Sequence, residues 1–322
     1  MDVASSPEQL RACLEALPRL RAFQESGACV TIGNFDGMHI GHRALLGRAR
    51  RLASAAGRPL VTVTFEPHPL EVLAPNLAPA RLTDSSTRLE LLRDCGIDAV
   101  LLLAFTHELA AMQPEDFVGK VLLQGLNMRH LLIGYDFSLG KARAGTGAVL
   151  SGLGDKYAFA CEQFGPVLAD GAPVSSTRIR HLIRAGDMPG AAALLGRPHG
   201  ARGLVVQGRR RGRQLGFPTA NMAPPPVQLP PAGVYATWAR LGIERFPAVT
   251  SVGHNPTFAG EHLTVETHIL DFSHDLYGQE LRIDFVERLR GEIRFENPAG
   301  LIRQIENDIQ TARAVLAANI AG

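Results

Sequence analysis

Residues 29–42 read CVTIGNFDGMHIGH, and this stretch sets the reading of the first half of the chain. The strand CVTI runs into a turn that Gly33 and Gly37 let close tightly. His39 and His42 follow, three residues apart where a helix begins, so both imidazoles fall on one helix face. The free amides and positive dipole end of that helix favour an anion, and two histidines add donors aimed at it. A lone histidine is more often structural, but ten patterned residues after a strand fit a polyphosphate site.

Outward from this strand, residues 28 to about 167 alternate short apolar runs with helical stretches, and the period switches between 2 and 3.6. Strands are expected to begin at Cys29, Leu60, Asp98 and His130. Helices are expected near Gly41–Ala56, Ser86–Cys95 (capped by Asp84 or Ser85) and Pro114–Leu126. Such alternation predicts a parallel sheet with right-handed crossovers, whose ligands bind at the carboxyl ends of the strands.

Between Arg184 and Arg202 the segments GDMPG and GRPHG bracket a short apolar helix, AAALLG, and the domain boundary is placed there, giving residues 1–185 and 186–322. Beyond it GLVVQG, GVYATWARL, FPAVTSVG, LTVETHILDF and LRIDFVERL are short alternating runs separated by glycine, proline or charge, the pattern of a small antiparallel barrel. Leu301, Ile305, Ile309, Ala312 and Leu316 recur at helical spacing, so a terminal amphipathic helix should close over that barrel. The fold class is α/β followed by β. APPPVQLPP, residues 223–231, reads as a stiff internal loop in preference to a polyproline docking peptide, because it follows a binding motif.

With 46% hydrophobic residues, 322 positions are enough for two cores. Lysine and arginine number 33 against 31 acidic residues, and a net charge of +2 offers no bulk attraction to nucleic acid or anionic lipid. Phosphate recognition must then be local. Cys13, Cys29, Cys95 and Cys161 make no CxxC pair, which favours reduced, buried thiols over a zinc site or disulfide framework. MDVASSPEQLRACLEALPRL has no basic region before an apolar run, and nothing later approaches the length of a membrane span; a cytoplasmic protein without membrane partners is expected.

Two further segments belong with the first site. GYDFSLGKARAGT (134–146) follows another strand and offers Asp136 with Lys141 and Arg143 on a glycine-rich loop, and VSSTRIR (174–180) sets hydroxyls and arginines where a helix begins. Arg178 and Arg180, two apart, cannot share a helix face, so one is expected at phosphate and the other in solvent. Taken in order, GNFDGMHIGH, TFEPHP (64–69), GYDF and SSTRIR resemble the FAD synthetase module of bacterial bifunctional riboflavin kinase/FAD synthetases, part of the HxGH nucleotidyltransferase superfamily. The resemblance implies a Rossmann-like parallel α/β domain that joins AMP from ATP to FMN. It further implies that His39 and His42 bind the ATP phosphates as the catalytic pair, that Gly33, Asn34, Phe35, Asp36, Gly37 and Asp136 line the nucleotide site, and that Ser176, Thr177 and Arg180 close it. Leu139 stands where the family usually has phenylalanine, and Thr146 where an acidic or amide residue is commoner.

In GLVVQGRRRGRQLGFPTANM (203–222), Gly208, Gly212 and Gly216 permit backbone donation to phosphates, while Thr219 and Asn221 supply hard oxygens suited to Mg²⁺. LTVETHILDF places Glu266 and His268 on one side of a strand and Thr267 and Ile269 on the other. A carboxylate there could accept a hydroxyl proton as a γ-phosphate is transferred. Together with TSVGHNPTF (250–258) and LYGQELRIDFVERLRGEIRF, these segments resemble the riboflavin kinase module over residues 197–317. That resemblance implies a Greek-key barrel in which Thr219 and Asn221 contact Mg-ATP, Glu266 is the base on the riboflavin 5′-hydroxyl and Arg290 approaches the flavin. Ser251 replaces the asparagine common before the V/I-G pair.

The order of the two modules matches an enzyme that converts riboflavin to FMN and FMN to FAD with ATP and Mg²⁺, and that has small molecules for partners and no nucleic acid. Two rivals stand beside it. One keeps the adenylyl transfer but takes another phosphorylated vitamin, such as phosphopantetheine, as acceptor. The other is a nucleic-acid-binding module on Arg209–Arg213, which lacks interleaved aromatics and leaves PTAN unexplained. No oligomeric state is indicated.

Overall fold

The computed structural model describes residues 1–6, 8–9, 26–208, 212, 215–223, 225–257 and 260–319, with backbone alone for 254–257 and 260–263. Cys13, the arginines 209–211 and 213, Pro224 and Phe258 lie outside the described residues. Two compact units are formed, one from residues 1–79 with 85–174, the other from 80–84 with 175–322. The division at 174/175 lies upstream of the boundary expected between Arg184 and Arg202. Backbone packing, which local composition does not report, groups the helix 176–185 with the second unit.

In the first unit, six parallel strands lie in the order β1 (Asp2–Ala4), β4 (Ala99–Ala104), β3 (Leu60–Glu66), β2 (Ala28–Ile32), β5 (Met128–Gly134), β6 (Ala160–Phe164). Alternate residues serve opposite faces: Val30, Ile32, Leu131 and Ile133 join one core, and Cys29 and Leu132 join another with Leu45, Leu46 and Ala49 of helix α1 (Ile40–Ala55). From β2 the chain builds toward β3 and β4 on one side and toward β5 and β6 on the other. The reversal falls beside β2, whose carboxyl end carries the GNFDG turn, and such a switch point is where open parallel sheets take their ligands.

The four expected strands are present, and two others of this sheet were missed. β1 has only three residues, and β6 (ACEQF) is a half-exposed edge strand whose Glu162 faces Arg48 at 2.8 Å, so neither shows an apolar run. Helix α2 spans Ser85–Asp94, one residue from its expected bounds. The expected helix Pro114–Leu126 begins as α-helix at Pro114–Asp116 and widens into π-helical turns over Phe117–Gly125.

After α3 (Gly147–Tyr157) and β6, the first unit ends in a two-stranded antiparallel ribbon, β7 (Leu168–Ala169) and β8 (Ala172–Pro173). Next in the chain come α4 (Ser176–Ala185) and α5 (Met188–Leu195) of the second unit. It then forms a closed antiparallel barrel in the order β10 (Ala220–Met222), β13 (Gly260–Ile269), β12 (Glu244–Thr257), β11 (Gly233–Leu241), β14 (Glu280–Arg290), β9 (His199–Val206). Three consecutive strands, β11 to β13, form a meander and β14 returns beside β11, which is Greek-key topology. Tyr235, Phe285 and the hydroxyl series Thr237, Thr250 and Thr267, spaced 2.8 and 3.0 Å, are fully buried. The alternate residues Val234, Ala236 and Trp238 pack against Ala312 and Leu316 of the terminal helix α6 (Pro298–Ala318), as its apolar stripe predicts. The proline-rich segment is an internal loop: Gln228 donates from its amide to Arg81 O (2.7 Å) and from its side chain to Arg180 O (2.8 Å), and its carbonyl lies 2.7 Å from His199 Nε2.

Arg290, at the end of β14, directs Nε and Nη2 onto Asp308 of α6 at 2.8 to 3.0 Å, and Gln304 also donates to that carboxylate. In Asp308→Ala a half-buried guanidinium keeps much of its desolvation and loses its counter-charge, which costs about 3 kcal/mol. Urea unfolding followed by the fluorescence of Trp238 should show a lowered midpoint. An unchanged midpoint would remove this pair from the forces that hold the helix to the barrel.

Candidate active sites

The first site is built where β2 gives way to α1. His39 is the N-cap of α1, and its Nδ1 accepts a hydrogen bond from the His42 backbone N–H at 3.2 Å. A neutral ring that accepts at Nδ1 carries its proton on Nε2, so His39 presents a donor. His39 and His42 stack with centroids 3.6 Å apart and planes 15° apart, and Phe35 meets His42 edge-on at 5.3 Å. Gly41 makes room for this, since a Cβ there would lie 3.1 Å from the His39 ring.

Burial pushes the His39 imidazole down to about 4, against a backbone hydrogen bond that raises it. His42 lies well below the ordinary imidazole range, first through burial and then through His39. Both rings are therefore neutral donors at pH 7, and the amides at the start of α1 provide the remaining attraction for an anion.

Gly33, Asn34, Phe35, Asp36 and Gly37 form the turn that leads into His39, and Phe35, Asp36 and Met38 are buried beneath it. Phe35 and Met38 hold φ of 51° and 44°, in the left-handed region that bulky residues avoid. The Asn34 side-chain amide lies 3.4 Å from Nε2 of His68, which caps the short helix Pro69–Leu73. His68 was quoted from the sequence within TFEPHP but given no role; its place at the carboxyl end of the adjacent strand brings it here.

Asp136 is exposed on the loop after β5, where Arg143 reaches its carbonyl at 3.5 Å and Ser138 Oγ at 2.7 Å. The two departures in this loop have structural work. Leu139 is buried in the core and exchanges two backbone bonds with Gly145, while Thr146 caps α3 by accepting from Val149 N. Ser176, Thr177 and Arg180 lie on α4, in the second unit. There the Nε of buried Arg180 donates to Ala80 O at 2.7 Å, a structural use of the side chain that the sequence reading had assigned to phosphate or solvent.

The second site is a matter of register. β13 sets Glu266 directly across from Asn221 of β10 on one side and Ser251 of β12 on the other, so the three share one face of the barrel wall. Thr219 Oγ1 lies 3.5 Å from Glu266 Oε2. Gly208 sits against this group so closely that a Cβ there would come within 2.3 Å of the Asn221 amide. Gly212 is held by bonds from Leu215 and Phe217 to its carbonyl, and Gly216 is exposed with φ of 90°. As expected, Thr267 and Ile269 point inward and are buried, while Glu266 and His268 are half-buried on the other side, His268 Nδ1 lying 2.8 Å from Pro218 O.

Beside them a cavity of about 330 Å³ is lined by Thr219, Thr267, Ile269, Phe272, Leu276 and Tyr277, a volume in the range of small-molecule pockets. The loop 272–277 was missed by sequence reasoning; DFSHDLYG, with its aromatics flanking a turn, was the available signal. Thr219, Asn221 and Glu266 gather three hard oxygens in one corner, which suits Mg²⁺, an ion that keeps waters and substrate phosphates among its ligands. Among the described residues, no group of three or more His, Cys, Asp or Glu could cage a metal by itself. Arg290 lies on the same cross-strand row through Val234, and its guanidinium is taken by Asp308.

Fold and sites together define a protein of two phosphorus-transfer modules, a parallel-sheet nucleotidyltransferase followed by a barrel kinase. Residues 22–178 match the model of the FAD synthetase family, and residues 195–316 match that of riboflavin kinase. Bifunctional riboflavin kinase/FMN adenylyltransferases are similar along most of the chain: that of Pseudomonas fluorescens is 39% identical over 91% of this chain and 94% of its own. For Escherichia coli K12 the values are 36%, 93% and 96%, and for Bacillus subtilis 32%, 90% and 92%. A crystal structure from Streptococcus pneumoniae, described as a macrolide-efflux protein, superposes with a TM-score of 0.81 at 29% identity over 89% of this chain and 94% of its own. The chain belongs to the bifunctional riboflavin kinase/FMN adenylyltransferase family. Among the described residues no helix is long and apolar enough to cross a membrane.

The neutral imidazoles make the first unit sensitive to acid. Free histidine titrates near 6.5, so the stability due to these rings is fully present above that pH and is lost as pH falls toward 4, where the unfolded chain binds protons that the fold refuses. Amide protection factors along Ile40–Ala55 should fall between pH 6.5 and 4, and less so in the double variant His39→Asn, His42→Asn. Equal pH slopes in both proteins would contradict the assignment.

Proposed function

We propose that the chain makes FAD from riboflavin in two ATP-dependent steps, with adenylyl transfer in residues 1–185, riboflavin phosphorylation in 186–322, and a cytoplasmic place of work. The observation that carries the kinase half is the register that sets Asn221 across from Glu266, with Thr219 Oγ1 3.5 Å from the same carboxylate and lining a cavity of about 330 Å³. The phosphopantetheine alternative has no use for that corner.

In the kinase step, Glu266 accepts the proton of the riboflavin 5′-hydroxyl as its oxygen bonds to the γ-phosphorus of ATP and ADP departs. Thr219 and Asn221 would hold the Mg²⁺ that accompanies ATP, which neutralises charge on the phosphates during transfer. Gly208 lets the backbone lie against Asn221, and the cavity receives the nucleoside end. Arg290, in this reading, serves the flavin side by fixing the end of β14 through Asp308.

In the adenylyl step, a phosphate oxygen of FMN bonds to the α-phosphorus of ATP, the bond to the bridging oxygen breaks and pyrophosphate leaves. No covalent enzyme intermediate is needed, so positioning and charge stabilisation supply the rate. His39 and His42, with the first amides of α1, hold the phosphates, and the GNFDG turn and Asp136 line the nucleotide.

A timed reaction of the full chain with riboflavin, ATP and Mg²⁺, resolved by chromatography, should show FMN and then FAD; formation of neither would discard the proposal. Glu266→Ala should lower riboflavin phosphorylation about a hundredfold or more and leave FMN-to-FAD conversion measurable. His42→Ala should lower FAD formation by about a hundredfold and spare FMN formation. Parallel loss of both activities in either variant would defeat the division of labour.

A further inference from the structure

The first unit contains a buried arginine that neither motif includes. Arg88, on α2, is 4% exposed and lies beneath the carboxyl ends of β2 and β3. Its Nη1 donates to the Asn34 carbonyl at 3.2 Å. Its Nη2 donates to the Phe65 carbonyl at 3.1 Å and to Glu66 Oε2 at 2.8 Å. Ser85, at the start of the same helix, directs its hydroxyl onto that Glu66 oxygen.

These contacts bear on the backbone of the adenylyl-transfer turn. The Asn34 carbonyl also receives Thr64 Oγ1 at 3.4 Å. A trans peptide is planar, so fixing that carbonyl turns the Phe35 N–H to the opposite side. Phe35 is the residue with φ of 51°, a conformation that persists only where its surroundings enforce it. On the other strand, Glu66 and Phe65 lead into His68, which meets Asn34. One guanidinium thus ties together both strand ends whose loops carry site residues, a task that a planar fork performs and an ammonium, with one point of charge, does not.

We propose that Arg88 is a positioning residue for adenylyl transfer. It holds the Asn34–Phe35 peptide, and through it the approach to His39 and His42, in the orientation required when charge shifts from the α-phosphorus to the leaving pyrophosphate. In this role Arg88 acts through the backbone of the turn. The inference rests on the function proposed above for the first unit.

Full-length Arg88→Lys and Arg88→Met are compared with the unaltered chain for FMN adenylylation over a range of ATP concentrations, with riboflavin phosphorylation measured on the same samples. Lysine retains a charge for Glu66 and keeps α2 docked but reaches one strand end at a time. Both variants should lose roughly tenfold or more in adenylylation kcat, with a smaller change in KM for ATP, since misplacement of groups acts on the transition state. Riboflavin phosphorylation should stay within about twofold, and Arg88→Lys should keep the protection of the α1 amides. Adenylylation kcat within about twofold of the unaltered chain in Arg88→Lys, or a parallel fall of both activities, would overturn the proposal. An unaltered chain that makes FMN but no FAD would instead defeat the functional reading of the first unit.

Discussion

The hydrogen bond from the His42 amide to His39 Nδ1 fixes four things at once in the first unit. It satisfies an amide that has no carbonyl partner at a helix start, sets the tautomer of His39, holds the two rings in a stack, and leaves the Nε2 proton of His39 available. Burial then keeps both rings uncharged at neutral pH. The turn before it must therefore place His39 as a cap and not merely as a neighbour. That requirement accounts for the left-handed Phe35 and Met38 and for the absence of a side chain at position 41.

The barrel solves its problem differently. Its polar corner comes from strands far apart in sequence, and pairing brings them level: Asn221, Glu266 and Ser251 are neighbours because β10 and β12 flank β13 in that register. A one-residue slip would turn Glu266 inward and Thr267 outward, exchanging the carboxylate for a member of the buried hydroxyl series. The packed interior of Tyr235, Phe285 and the threonines thus fixes the chemistry on the wall. Arg290 and Asp308 bind the helix to the same wall from the end of β14.

Much of this was legible from residues alone. Strand starts at Cys29, Leu60, Asp98 and His130 fall within two residues of those observed, because strands buried in a parallel sheet carry dense apolar runs. The edge strand 160–164 was not legible, since its polar residues are half in water. His39, His42, Thr219, Asn221 and Glu266 were found by motif, and the structure brings the members of each set together. Arg88 was invisible: its partners Asn34 and Glu66 lie 54 and 22 positions away, and only packing makes an arginine in SSTRLELL differ from any solvated charge. Arg180 likewise has a partner that local sequence does not reveal, the Ala80 carbonyl 100 positions away.

The closing seam of the barrel joins its earliest strand to its latest. β9 pairs with β14, from Leu204 against Glu280 to His199 against Phe285, so some eighty residues of chain must be present before the wall can close. On a ribosome, where the polypeptide emerges from its amino end, the parallel sheet of the first unit has all its strands once Phe164 is out, while the barrel still lacks every one. A nascent chain therefore passes through a stage at which the module acting second in the pathway has its whole parallel sheet and the module acting first has none of its strands.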